Sequence, residues 1–317
     1  MKRLISRILA SEIFDRDPPV LLDIGASGGL PRLWSVLAPY SIGIAFDADS
    51  RDFRADGSNR QGWKKLFLLN ELVTTQPTES VQFHLTVSPH CSSTLPPDNE
   101  ALRPWAFRRS FDLDRKVTLP AIDLPAALAR AGVGRVDWFK CDSQGTDLRL
   151  FQSLPQGTQD LVLAVSCEPG IIDAYRGEDK LYALMAYMDQ RPFWVNAMDI
   201  KGSQWVGDVG RLPLMARRSP GSFFKTSPGW CEISYLNKCS APDITERDLL
   251  LGIVFAMVHE QLGFASDLAH RGLAMFHNPL FSQSLTAVER RTWPGYVRFA
   301  FKAAMAATGK LVWRVSR

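Results

Sequence analysis

Residues 19–30 read PVLLDIGASGGL, and this stretch decides the fold. Val20, Leu21, Leu22 and Ile24 are apolar at successive positions, the pattern of a strand covered on both faces within a parallel sheet. Asp23 stands near the carboxyl end of that strand, and Gly25, Ala26, Ser27, Gly28 and Gly29 follow it. Side chains this small leave the backbone open to a ligand, so the stretch predicts a central strand that opens onto a nucleotide-like site.

The spacing narrows the ligand. A dinucleotide site uses G-x-G-x-x-G, with the pyrophosphate on a helix N-terminus, and Gly25, Gly28 and Gly29 do not fit that pattern. An acid at the strand end repels a pyrophosphate but accepts a hydrogen bond from a cationic amino-acid group. S-adenosyl-L-methionine carries such a group and no phosphate. A second apolar strand, SIGIAFDAD over residues 41–49, ends in acids. Asp47 lies about where a ribose-binding carboxylate is expected, with Asp49 its near competitor. The cofactor-binding candidates are therefore Asp23, Gly25, Ala26, Ser27, Gly28, Asp47 and Asp49.

Three motifs in this order, DIGASGG, AFDAD and VDWFKCDSQGTDLRLF (residues 136–151), resemble the FkbM family of S-adenosylmethionine-dependent methyltransferases. In that family's K-x-D-x-E-G-x-E pattern, Lys140, Asp142, Gly145 and Asp147 match, while Gln144 replaces the usual Glu. SPHCSSTLPP (residues 88–97) is similar to the family's Ser-Ser-x-Leu segment through Ser92, Ser93 and Leu95. The resemblance covers roughly residues 18 to 200, within the size of one domain. It implies an α/β fold with a doubly wound, Rossmann-like, seven-stranded methyltransferase sheet, and S-adenosyl-L-methionine as cofactor. It also implies O-methylation of a hydroxyl on a sugar, glycan or other polyol. The family's adenine-side Asp has no counterpart, since Thr74 or Thr75 falls there.

The catalytic candidates follow from the strand ends. Arg135–Cys141 is expected as the fourth core strand, with Lys140, Asp142 and Gln144 at its carboxyl end, and Leu161–Cys167 as the next, delivering Glu168 to the same edge. Asp142 is the first candidate for the base that removes the hydroxyl proton, with Glu168 and His90 behind it and Lys140 alongside. A structural ion pair at the strand end is the competing reading of Lys140 and Asp142. The histidines have no metal-ligand spacing, so no metal is expected.

At 317 residues, with 46% hydrophobic and 22% charged residues, the chain has ample core for one large domain and an appendage. Residues 1–240 are expected to form the methyltransferase domain and residues 241–317 a helical C-terminal extension. Five scattered cysteines without a C-x-x-C pair suggest reduced thiols and a cytoplasmic setting. Residues 1–14 read as an amphipathic helix packed on the sheet, not a secretory signal.

Further elements are expected as a crossover helix over Leu30–Ala38, strands over Lys65–Val73, Val81–Val87 and Val117–Ala121, and helices over Leu124–Ala131 and Lys180–Asp189. A closing hairpin pairs Pro192–Ile200 with Cys231–Asn237, Lys201–Pro228 between them reading as a lid or flexible loop. Thr245 and Asp248 suggest a capping box before a helical hairpin around Gly263.

The formal net charge is +4, but seven basic residues and no acid follow Glu289, leaving about −3 on the rest. From Pro294 onward these bases border a mostly apolar stripe. The tail reads either as a helix packed on the core or as a peripheral contact with an anionic membrane inner face. Nothing points to nucleic acid. A binding or scaffold protein with a degenerate site and a nicotinamide-dependent oxidoreductase are the competing functional classes. The second lacks its spaced glycine.

Overall fold

The computed structural model describes residues 1–26, 30–49, 51, 62–207 and 219–293. The chain forms two units, one of residues Glu12–Pro242 and one combining Met1–Ser11 with Asp243–Arg317.

The larger unit is built on a seven-stranded mixed sheet with flanking helices. Its strands are β1 (Val20–Ile24), β2 (Ile42–Phe46), β3 (Lys65–Leu69), β7 (Trp138–Cys141), β8 (Ala164–Cys167), β9 (Phe193–Gln204) and β10 (Thr226–Asn237), in the spatial order β3-β2-β1-β7-β8-β10-β9. The first five are mutually parallel, and β10 runs antiparallel to both β8 and β9. All five residues of β1 are buried, as a strand covered on both faces requires.

On one face Leu22 and Ile24 pack with Leu124, Ala127 and Leu128 of helix Leu124–Ala131, and with Leu148 and Phe151 of helix Asp147–Gln152. Trp34, on a short 3-10 helix, meets the Trp138 ring edge-on at 5.8 Å. The chain winds from β1 outward to β3 and returns to the other side of β1 as β7. That reversal opens a crevice at the carboxyl ends of β1 and β7.

The remaining strands, β4 (Leu72–Thr74), β5 (Ser80–Thr86) and β6 (Leu113–Asp123), form a separate three-stranded sheet in the order β4-β6-β5. The single strand expected over Lys65–Val73 is thus two. Between them, the Asn70 side chain donates to the Asp47 carbonyl at 3.3 Å, and the chain then pairs with β6. The expected helix over Leu30–Ala38 is two 3-10 turns, Arg32–Val36 and Ala38–Tyr40, because Pro31 and Pro39 bracket too few residues for a stable α-helix. Leu161 ends the helix Gln156–Leu161 and does not begin β8. The proposed lid is shortened from both sides, since Lys201–Gln204 lies in β9 and Thr226–Pro228 in β10. Its centre, residues 208–218, lies outside the described residues.

In the smaller unit, α1 (Lys2–Leu9) buries Leu4, Ile5, Ile8 and Leu9. Its apolar stripe is therefore spent in the helical unit, not on the sheet. Helices Glu246–Val258 and Leu262–Met275 pack as a hairpin, and residues 279–293 are helical. The Thr245 hydroxyl accepts from the Asp248 amide at 3.1 Å and the Asp248 carboxylate returns to the Thr245 amide, completing the expected capping box. The hairpin turns at His259–Gln261, with Glu260 at φ 57°, so Gly263 falls inside the second helix. No helix among the described residues is long and apolar enough to cross a membrane. The basic tail from Pro294 lies outside them.

Candidate functional site

Four strand ends converge on the crevice: Gly25 after β1, Asp47 after β2, Asp142 after β7 and Glu168 after β8. Two cavities meet there. The first is lined by Ile24, Gly25, Phe46, Asp47, Asp49, Leu72, Val73 and Phe83 among others. The second, of about 420 Å³, is lined by Phe107, Phe111, Glu168, Tyr175, Trp230 and Glu232 among others. His90, Asp142 and Gln144 line both, and so form the wall between them.

Gly25 takes φ +80° at this wall, and a Cβ there would stand 2.1 Å from the Asp142 carbonyl oxygen. Only glycine allows β1 and β7 to stay in register while the chain turns away. The amides of Gly25 and Ala26 donate to the Phe46 carbonyl at 3.0 and 2.9 Å, fixing the start of the loop to the end of β2. Ala26 is buried beside Ala45 and does not line the cavity. Ser27 and Gly28 lie outside the described residues.

Asp23 is fully buried, and its Oδ1 accepts from Lys140 Nζ at 2.6 Å. Its Oδ2 is buried with no hydrogen bond from a described residue. Burial pushes the Asp23 carboxyl up to about 6 even though Lys140 pulls it down. Burial works against the Lys140 cation too, but the charge of Asp23, then that of Asp142, raises it above its ordinary value. The ion pair at this strand end therefore joins Lys140 to Asp23 on the neighbouring strand and not to Asp142, which Gln144 holds.

The two acids after β2 divide. The Asp49 carboxylate is held by Arg51, whose guanidinium nitrogens donate at 2.6 to 3.1 Å, and these bonds lower it against the opposing effect of burial. Arg51 also donates to the Ser92 hydroxyl at 2.9 Å. Asp47 accepts from the Asp49 amide at 2.8 Å and faces the first cavity. Asp49 is thus committed to a tie between the β2 end and the Ser-Ser segment.

Ser93 completes a second tie, donating to the Gln144 carbonyl at 2.7 Å. Gln144 itself sits at φ 57°, a strained region for a residue with a side chain. Its side-chain amide donates to Asp142 Oδ1 at 2.5 Å, and its Oε1 lies 2.9 Å from the Tyr175 hydroxyl. An acid in this position would repel Asp142; the amide orients it. Burial raises the Asp142 carboxyl to about 6, Lys140 opposing. Glu168 is pushed further, to about 8, by burial and then by the charge of Asp142.

Asp147, buried at the start of its helix, accepts from the Ser143 amide at 3.0 Å and the Glu168 amide at 2.7 Å. It locks the chain after β7 to the chain after β8, a positioning role its place in the motif did not reveal.

The aromatic wall of the second cavity is a chain of rings. Trp230 stacks on Phe107 at 6.0 Å, Phe107 meets Phe111 at 5.1 Å, and Phe111 meets Tyr175 at 5.6 Å. An irregularity of β10 between Pro228 and Trp230 lets the Gly229 carbonyl accept from the amides of Ile171 and Ile172. Phe107 lines this cavity, whereas Trp105, Trp194 and Trp205 do not. Tyr175, Trp230 and Glu232 carried no local signal, because non-local packing alone brings them here.

Thr74 bonds locally to the Gln76 carbonyl at 2.9 Å and lies outside the first cavity, whose apolar walls are Phe46, Leu72, Val73 and Phe83. The described residues include no group of three or more His, Cys, Asp or Glu arranged to hold a metal. Comparison with family models and with curated proteins gives no match.

Proposed function

We propose that this chain is an S-adenosyl-L-methionine-dependent methyltransferase that methylates a hydroxyl of a sugar or other polyol, as a member of the FkbM family. The observation that carries the reading is the pair of cavities joined at Asp142, one with the features of a nucleoside site and the other walled by aromatic rings. The closing hairpin β9–β10 and the parallel strands before it agree with the sheet implied by the sequence motifs. The absence of a third spaced glycine after β1 counts against a dinucleotide.

The residues present fit the cofactor. Gly25 gives close backbone approach and Asp47 suits ribose hydroxyls, whereas Asp23, bonded to Lys140, is fully buried and lines neither cavity. Phe46, Leu72, Val73 and Phe83 offer apolar surface to a planar base. The cofactor, when bound, supplies an electrophilic methyl group.

The chain's own work is to orient the acceptor oxygen and take its proton. The Asp142 carboxylate, with one oxygen held by Gln144, stands at the junction of the cavities. A carboxyl raised to about 6 is ionised at neutral pH yet more basic than an ordinary Asp, which suits a general base. The aromatic wall excludes water and holds the acceptor in place, so that the displacement starts from an aligned geometry.

Isothermal titration with S-adenosylmethionine, followed by mass spectrometry of polyol acceptors incubated with the labelled cofactor, tests this reading. Methyl incorporation that is lost in Asp142→Asn supports it. Absence of cofactor binding overturns it.

A further inference from the structure

The second cavity is lined by acidic groups that a neutral polyol does not answer. Among the described residues its lining includes Asp142, Glu168, Glu178 and Glu232, and no lysine or arginine. Glu178 is already served by Lys180 at 2.7 Å and by the Ala174 amide. The Asp142 carboxylate is held by Gln144, belongs to both cavities and faces the cofactor side as well. Glu168 and Glu232 line the second cavity alone. The Glu168 carboxylate accepts no hydrogen bond from a described residue, and the cation nearest in effect, Lys140, is bonded to Asp23. Among the described residues Glu232 has a 3.3 Å contact with Lys201, itself shared with Asp199.

We propose that the acceptor is a polyol carrying a protonated amine, of the amino-sugar class, with its ammonium against Glu168 and Glu232 and its ring against the Trp230–Phe107 wall. This rests on the reading above only in calling the ligand a methyl acceptor. The cavity and its ring wall make the site, and the two acids, one of them ionising as the cation binds, give its preference for a cation. Aromatic faces reinforce the choice, since they attract organic ammonium groups as well as sugar faces. A divalent ion is the weaker fit, because the described residues include no group of three or more such side chains arranged to hold one.

The groups acting on Glu168 are Asp142 and Lys140 around β7, Asp147 on the helix that follows, and Glu232 on β10. The resulting upward shift means that Glu168 holds its proton at neutral pH until a cation arrives. An ammonium favours the ionised form, so binding at pH 7 releases protons.

The test is titration of the full chain at pH 7 with D-glucosamine, N-acetyl-D-glucosamine and D-glucose, with and without S-adenosylhomocysteine, in two buffers of different ionisation enthalpy. Glucosamine is expected to bind at least about tenfold more tightly than the other two, with buffer-dependent heat from released protons. Glu168→Gln should reduce the preference to within about threefold and remove the proton release, and exposed Glu232→Gln should reduce the preference in part. Near-UV circular dichroism verifies that each variant is folded. Equal affinity for the three sugars, no glucosamine binding up to about 20 mM, or an undiminished preference in both variants would overturn the proposal. Failure of S-adenosylhomocysteine to bind would strike the methyltransferase reading instead, since the sugar comparison stands without it.

Discussion

Replacing Glu168 by Gln converts a pH-dependent weakness of the sheet unit into a pH-independent contact. The Glu168 carboxyl lies at about 8, against 4.5 for an ordinary Glu, through burial first and the Asp142 charge second. A folded-state value above the unfolded one stabilises the protein fully below the unfolded value, and that contribution is lost as pH rises to the folded value. The window therefore runs from about pH 4.5 to 8. At about 1.4 kcal/mol per unit the ceiling is near 5 kcal/mol, and partial solvent contact of the side chain reduces this to about 2 kcal/mol. Gln cannot ionise and stays neutral throughout.

Thermal unfolding followed by near-UV circular dichroism at pH 5, 7 and 9 reads the effect. Wild type and Glu168→Gln should melt within about 2 °C of each other at pH 5, and the variant should melt roughly 4 to 8 °C higher at pH 9. The same difference at both extremes of pH, or a variant that is less stable at pH 9, would refute the reasoning.

Three other substitutions probe separate parts of the account. Gly25→Ala adds a left-handed strain of about 1 to 2 kcal/mol and a clash with the Asp142 carbonyl, so chemical denaturation should show a loss of about 2 to 4 kcal/mol. Asp142→Asn keeps the shape of the wall and removes the base; initial rates of methyl transfer should fall by about 10²- to 10⁴-fold with cofactor affinity little changed. Thr245→Ala removes the hydroxyl half of the capping box, and urea titration should report a loss of about 1 kcal/mol, whereas Thr245→Ser should lose little.

The parts of the fold written in short-range pattern were legible in the sequence. The apolar run of β1, the glycine after it, the helix Leu124–Ala131 and the Thr245–Asp248 box each follow from neighbours a few residues apart. So did the gathering of Asp47, Asp142 and Glu168 at one sheet edge, since parallel strands must end on the same side. Pairings between distant segments were not legible. Nothing local in Val81–Val87 or Val117–Ala121 says that these strands leave the main sheet and pair with each other.

The same limit hid the side chains that hold the site residues in place. Arg51 reaches Asp49 and Ser92, Ser93 reaches Gln144, and Tyr175 reaches the Gln144 side chain, contacts that span 31 to 51 residues apart from the local Arg51–Asp49 pair. α1 illustrates the converse. Its stripe of Leu4, Ile5, Ile8 and Leu9 announced a buried face without naming the surface that buries it.

The most direct measurement is isothermal titration of the full chain with S-adenosylmethionine, S-adenosylhomocysteine and NAD, for the wild type and Asp47→Ala. The account predicts saturable binding of both adenosyl compounds and none of NAD. It predicts that Asp47→Ala weakens the adenosyl compounds by at least about tenfold with the fold intact, each lost bond to a charged acceptor being worth about 1.5 to 3 kcal/mol. No heat from either adenosyl compound, equal affinity in the variant, or binding of NAD in their place would contradict it.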